Sequence, residues 1–141
     1  MAWDPSLELG IDLIDKEHRE LVECVENFIK KSETEDVSGI FIQTLNFLED
    51  YTLKHFADEE MYQRECNYPK YDLHKSMHGN LINDIADLND QIEREGVNQE
   101  IISGTGQFLL DWVVHHIIDA DLEFGAYYRK ANTYAVYNTL V

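Results

Sequence analysis

The sequence predicts an all-α protein built as an antiparallel up-down-up-down four-helix bundle. Along four segments, apolar residues recur at alternating steps of three and four, which places them on one face of a helix. Strand signals are nearly absent, because the chain has no sustained period-two alternation, no Asn-Gly or Asp-Gly hairpin and only two prolines. Short polar connections separate the four segments, and successive helices joined in this way pack antiparallel most simply.

The four helices are expected at about residues 12–31, 38–64, 71–94 and 99–128. The last is the least regular, because Gly104 and Gly106 each cost about 1 kcal/mol relative to alanine inside a helix. These glycines either permit a close approach of two helices or delay the start of the fourth. We expect residues 1–130 to form the bundle and residues 131–141, which show no clear pattern, to be a short C-terminal extension.

Length and charge restrict the class of protein. A chain of 141 residues is the size of one domain, and no apolar run approaches the ~18 residues that a membrane span requires. A net charge of −17 argues against nucleic acid or an anionic membrane surface as a partner, since both need a positive patch. The first five residues lack the basic and apolar regions of a signal peptide, so we expect a cytoplasmic protein.

The inner faces of the first three predicted helices carry polar groups that an apolar core should exclude. Histidines and a glutamate stand in line with the apolar residues: His18, His55, Glu59, His74 and His78. Burying such groups without partners is costly, and a metal ion is the most economical partner. His55 and Glu59 are four residues apart, as are His74 and His78, and this spacing stacks two side chains on one helical face.

The fourth helix offers two competing pairs of ligands. His115 and Asp119 are four residues apart, whereas His116 and Asp121 are five apart. The stripe through His116 is apolar throughout, which favours His116 mildly. A spacing of five turns a straight helix by about 140° at ~100° per residue, so Asp121 joins His116 only if the helix loosens or the carboxylate reaches a different metal.

With one pair from the fourth helix, seven ligands are available, which is too many for one ion. Imidazole suits iron, copper, zinc and nickel, and carboxylate oxygens shift the preference toward iron or manganese. Neither cysteine is spaced for a structural zinc site. The two Glu-x-x-His pairs of ferritin-like di-iron bundles are absent as well. The residues thus predict a two-metal site of another class in the bundle core.

In its motifs the chain resembles the bacterial hemerythrins. It has Trp3-Asp4, Gly-Ile-x-x-Ile-Asp-x-Glu-His at 10–18, His-Phe-x-x-Glu-Glu at 55–60, His-x-x-x-His at 74–78 and Trp-x-x-x-His-Ile-x-x-x-Asp at 112–121. The resemblance spans residues 3 to about 128. It implies two iron ions, one bound by His74, His78 and His116 and the other by His18 and His55, with Glu59 and Asp121 bridging both.

The same resemblance implies a non-haem di-iron protein that stores, delivers or senses dioxygen. Five imidazoles, two bridging carboxylates and a bridging oxygen leave one of the positions of two octahedral irons open, and the family binds dioxygen there end-on as hydroperoxide. A dry pocket would be lined by Phe56, Trp112, Val113 and Ile117. Many family members carry leucine where Val113 stands, and a smaller side chain leaves more room for water.

Two alternatives use the same ligands: an enzyme that reduces peroxide or nitric oxide, and an iron buffer. Whether the protein is an enzyme therefore stays open, with oxygen binding favoured. One histidine and three acids lie close in sequence to the predicted ligands. His115 is expected not to bind metal, and Asp58, Glu60 and Asp119 are expected to be solvated acids.

Overall fold

Four helical arms make up the protein. The structure, a computed structural model, describes residues 3–140, and within that range it contains helices and turns without strands. A short 3-10 turn is followed by a series of helices: α1 (Asp12–Thr34), α2 (Ser38–Glu65), α3 (Tyr71–Glu95), α4 (Gln99–His116), a π-helical segment (Ile117–Asp121) and α5 (Leu122–Leu140). In the described residues, no helix is both long and apolar enough to cross a membrane.

The predicted bundle is confirmed. Helix α1 packs against α2 and α4, and α2 packs against α3. Helix α4, the π-helical segment and α5 follow one another without a break and are called here the fourth arm. Helix α3 ends at Gly96, which caps it with a φ of 79°, a conformation that favours glycine. At the start of α1, the Asp15 carboxylate accepts hydrogen bonds from the backbone N–H groups of Leu9 and Gly10 at 2.7 and 3.0 Å.

Two apolar clusters fill the interior. The larger cluster includes Phe41, Leu45 and Leu81, and the smaller includes Leu9, Ile14 and Phe124. Polar side chains lie between them, because Phe56 of the larger cluster stacks on His78 while Phe124 of the smaller one contacts the ring of His74. The apolar clusters therefore shield the polar layer from both ends of the bundle.

The fourth arm is longer than predicted. The expected helix ended near residue 128, but α5 continues through Leu140. Residues 132–140 are all exposed, with Tyr134 at 67% and Leu140 at 82% of full exposure. A helix that packs against nothing has no apolar stripe, so periodicity gives no sign of it. The predicted domain limits at residues 1 and 141 lie outside the described residues.

Glycines in the fourth arm mark close approaches between segments. Helix α4 begins at Gln99, so neither of its glycines delays the start of the helix. A Cβ atom on Gly106 would lie 2.8 Å from Cγ1 of Ile29 in α1, whereas one on Gly104 would meet nothing within 4 Å. At Gly125 a Cβ atom would lie 2.9 Å from Cβ of Leu9, which is fully buried.

Alanine at these glycines is expected to have opposite effects on stability. Gly104→Ala should raise the free energy of unfolding by up to about 1 kcal/mol, because alanine is the better helix former and the site is open. Gly125→Ala should lower it by about 1–3 kcal/mol, because overpacking against Leu9 outweighs the gain in helix propensity. Urea denaturation of the two variants measures both changes, and equal stabilisation by both would contradict the close packing at Gly125.

Candidate metal centre

The structure brings together all the predicted ligands in the layer between the two apolar clusters. Helix α1 contributes one of them, α2 and α3 two each, and the fourth arm two: His18, His55, Glu59, His74, His78, His116 and Asp121. All are buried, from 0% exposure at Glu59 to 9% at His116. Four separate helices thus position one cluster of imidazoles and carboxylates.

Two groups of potential ligand atoms can be distinguished, and both include Glu59 and Asp121. In each group the atoms lie within 4.8 Å of one another. The first group, called here the three-histidine side, adds His74, His78 and His116. The second, called the two-histidine side, adds His18 and His55.

Glu59 presents one oxygen to each side. Its Oε1 lies 2.6 Å from Nε2 of His74 and 3.2 Å from Nε2 of His78. Its Oε2 lies 3.7 Å from Nε2 of His18 and 3.8 Å from Nε2 of His55. A carboxylate divided in this way is placed to bridge two ions.

Asp121 is divided in the same manner. Its Oδ1 lies 2.8 Å from Nε2 of His74 and 3.1 Å from Nε2 of His116, on the three-histidine side. Its Oδ2 lies 3.1 Å from Nε2 of His18, on the two-histidine side. Both carboxylates therefore lie between the same two sets of imidazoles.

The buried polar atoms of the cluster fit metal ions better than they fit one another. Nε2 of His18, Nε2 of His78 and all four carboxylate oxygens of Glu59 and Asp121 lack a hydrogen-bond partner of good geometry. Buried polar groups rarely stay unsatisfied, and bound cations are one way to satisfy them. Nitrogen and carboxylate oxygen ligands without thiolates are a donor set that suits iron.

The π-helical segment accounts for the unusual spacing in the fourth arm. The backbone N–H of Leu122 bonds to the carbonyl of Ile117, five residues back, so each turn contains more residues than in an α-helix. This loosening brings Asp121 to His116. His115 is exposed, with Nδ1 2.8 Å from the carbonyl oxygen of Asp111, and Asp119 is exposed too. Of the two competing pairs, the structure thus places His116 and Asp121 inside.

Two carboxylates support the cluster from outside the expected set. Oε1 of Glu17 lies 3.0 Å from Nδ1 of His55, and Oε2 of Glu60 lies 2.9 Å from Nδ1 of His78. The interpretation of Glu60 as a solvated acid is therefore wrong, and its side chain is only 13% exposed. Asp58 does pair with Lys54 near the surface, at 2.9 Å.

Glu17 had no predicted role, although it precedes a predicted ligand within the motif at 10–18. Both glutamates neighbour a ligand in sequence and so lie off the inner stripe of their helix. A search for acids adjacent in sequence to any predicted ligand would have found them, because metal-binding histidines commonly donate their second ring N–H to a carboxylate.

Electrostatics in the cluster favours ionised carboxylates and a protonated His74 when metal is absent. Burial raises the pKa of Asp121, but the charge of His116 and the surrounding imidazoles hold it well below its usual range. Burial lowers the pKa of His74, but the nearby carboxylates of Asp121 and Glu59 raise it to about 10. Burial and the charge of His18 lower the pKa of His55. The imidazoles therefore differ in how readily they lose a proton to bind metal.

A small cavity of about 10 Å³ adjoins the two-histidine side. Its walls include both imidazoles of the two-histidine side, the carboxylate residue Asp121 and one imidazole of the three-histidine side, that of His116. They also include all four residues predicted for an apolar pocket: Phe56, Trp112, Val113 and Ile117. The ring of Phe56 stacks on His78 at 3.7 Å between centroids, and that of Trp112 stacks on His116 at 4.5 Å. This volume is about the least that holds one water molecule, so the cavity accommodates only a very small ligand.

Comparison with known proteins agrees with this geometry. Residues 9–127 match the family described as "Hemerythrin HHE cation binding domain". The chain belongs to the hemerythrin family. Hemerythrins are non-haem di-iron proteins that bind oxygen, and the two ligand groups of this member could hold two iron ions.

Several individual hemerythrins are similar to this chain over most of their length. A bacteriohemerythrin of Clostridium acetobutylicum is 30% identical over 126 residues, covering 87% of this chain and 97% of the relative. A myohemerythrin of Sipunculus nudus is 26% identical, with 87% and 89% covered. A solved structure titled "Crystal structure of hemerythrin:wild-type" superposes with a TM-score of 0.75 at 28% identity, covering 89% of this chain and 95% of that one.

In the metal-free protein, we expect His74 to titrate with a pKa of about 10, raised from the ordinary value of 6.5. Because the pKa is raised by folding, the stabilisation it reports is fully present below pH 6.5 and is lost as pH rises toward 10. NMR titration of the imidazole measures this, and Asp121→Asn should move the pKa back toward 6.5. Titration of the wild-type imidazole near 6.5 would refute the proposed influence of the carboxylates.

Proposed function

We propose that this hemerythrin binds dioxygen reversibly, and that it stores, delivers or senses it in the cytoplasm. One iron would be held by the three-histidine side and the other by the two-histidine side. Glu59 and Asp121 would bridge them. The observation that carries this proposal is the division of both carboxylates, each with one oxygen toward each set of imidazoles.

The site of oxygen binding would be the cavity beside the two-histidine side. A di-iron(II) centre bound there would supply the electrons for dioxygen, and the end-on binding mode is the one that the resemblance to the bacterial hemerythrins implies. Phe56, Val113 and Ile117 provide apolar walls that exclude bulk water. Outside the ligand set, no acid, lysine or cysteine among the described residues lines the cavity, so general acids that would promote irreversible oxidation are kept away.

We further propose that residues 1–130 form the functional unit and that residues 131–141 are an extension of it. The family match ends at residue 127, and residues 132–140 are exposed. All the proposed ligands and all four pocket residues lie before residue 122. Neither metal binding nor oxygen binding is therefore assigned to the extension.

The function is tested by the visible absorption of the anaerobically iron-loaded protein. We expect a band that develops when oxygen is admitted, disappears when oxygen is removed, and returns over repeated cycles. Irreversible oxidation in the first cycle would contradict oxygen binding as the function. Consumption of added peroxide or nitric oxide over many turnovers would support the enzyme instead.

The cavity residue Val113 provides a sharper form of this test. Val113→Leu should slow the decline of the oxygen-dependent band over repeated cycles, because the larger side chain leaves less room for water beside the open position. Val114→Leu is the matched control, since Val114 does not line the cavity. Equal effects of the two substitutions would argue against the cavity as the oxygen site.

The ligand assignment in the fourth arm predicts different results for adjacent histidines. The wild-type protein should bind two irons per chain. His116→Ala should lower this number or weaken binding, because it removes a buried imidazole from the three-histidine side. His115→Ala should keep both irons, because His115 is exposed. Metal analysis after gel filtration measures the iron content, and the reverse result would overturn the assignment.

A further inference from the structure

Each side of the candidate metal centre has one histidine whose outer ring nitrogen faces a carboxylate. On the two-histidine side, His55 is backed by Glu17 at 3.0 Å, and on the three-histidine side His78 is backed by Glu60 at 2.9 Å. A carboxylate that accepts from Nδ1–H fixes the tautomer, leaves Nε2 free to bind metal, and makes that nitrogen a stronger donor.

The two backing carboxylates differ in their other partners. Oε2 of Glu17 lies 2.8 Å from the Nζ ammonium of Lys54, which also pairs with Asp58 at 2.9 Å. In the part of the chain that the structure describes, no lysine or arginine pairs with Glu60. The negative charge behind His55 is therefore shared with a cation, whereas the charge behind His78 is not.

Burial makes this difference effective at the site. The Glu17 side chain is 2% exposed and that of His55 is 3% exposed, so water screens their interaction weakly. Lys54 is 61% exposed and reaches Glu17 from the surface of α2. A surface cation is thus linked to a buried imidazole through one carboxylate, and the link connects α1 with α2.

We propose that Glu17 and Lys54 are a positioning pair that sets how strongly the two-histidine side holds its metal. Glu17 orients His55 and strengthens Nε2 as a donor. Lys54 pairs with the same carboxylate, which reduces the negative charge that acts on His55 and so limits this strengthening. The proposal rests on the ligand assignment of the proposed function. It predicts that the two-histidine side binds its metal ion more weakly than the other side, and that this binding strength can be changed separately.

The test is an anaerobic titration of the metal-free full chain with Co²⁺, followed by the visible absorption of the bound ion. We expect two binding steps. Glu17→Gln should weaken one step by about 10–100-fold, the usual effect of mutating an outer partner of a ligating histidine, because the amide keeps the hydrogen bond but removes the negative charge. The other step should be unchanged. Glu60→Gln should weaken the other step instead. Equal weakening of both steps by Glu17→Gln, or no effect on either, would overturn the proposal.

Substitution of Lys54 changes the charge beside Glu17 without removing the contact between Glu17 and His55. Lys54→Met should strengthen the step that Glu17→Gln weakens, by a few-fold because the ammonium is exposed, and the gain should shrink at high salt. Lys70→Met is the matched control, since Lys70 pairs with Glu123 and contacts neither Glu17 nor His55. Indistinguishable effects of the two lysine substitutions would contradict a specific role for Lys54. Because Lys54 is exposed, this variant tests the proposal even if a Glu17 variant does not fold.

A readout without metal tests the positioning role itself. In the metal-free protein, ¹⁵N chemical shifts of His55 should show the proton on Nδ1, both in the wild type and in Glu17→Gln, whose amide oxygen still accepts. Glu17→Ala should lose this preference. An unchanged tautomer in Glu17→Ala would overturn the positioning role. Binding of fewer than two Co²⁺ ions would refute the two-metal site as well, whereas two intact steps without reversible oxygen binding would refute only the proposed function.

Discussion

The cost of burying imidazoles and carboxylates together is the constraint on which the rest of this protein depends. Glu59 is fully buried and Asp121 is 1% exposed, yet neither has a lysine or arginine partner in the described residues. Two anions in an apolar interior are stable only if cations face them. Protonated imidazole supplies part of that charge in the metal-free state, and two iron ions supply it in full. The bundle is therefore organised around a charged layer, and its two apolar clusters exclude water from that layer.

The same constraint explains the one irregular stretch of backbone in the fourth arm. An α-helical path through residues 117–121 would turn Asp121 away from His116, so the carboxylate of Asp121 would be missing from the layer. The π-helical segment forms wider and less favourable turns than an α-helix, and such segments are frequent at functional sites. Satisfying a buried carboxylate outweighs the local loss, because an unpaired buried charge costs several kcal/mol. The placement of Asp121 in the site thus determines the local backbone conformation.

How much the sequence could predict depended on whether a residue obeys helical periodicity. The inward histidines of α1, α2 and α3 were found because burial repeats along a helix with a regular period. Glu17 had no predicted role and Glu60 was wrongly expected to be solvated, because helical phase locates the inner stripe but does not tell solvent from a neighbouring helix at the edge of that stripe. The choice between His115 and His116 was only mildly favoured by phase, because the π-helical segment breaks the period there. Residues 132–140 gave no signal, since an exposed helix has no buried face.

The walls of the cavity are not equivalent, and this limits how the protein can vary its pocket. Phe56 and Trp112 close the cavity, but the same rings stack on His78 and His116, which belong to the three-histidine side. Changing either ring to alter the pocket would also disturb the orientation of an imidazole. Val113 lines the cavity without any such stacking role. Aliphatic size at that position can therefore adjust the space beside the two-histidine side while the ligands stay in place.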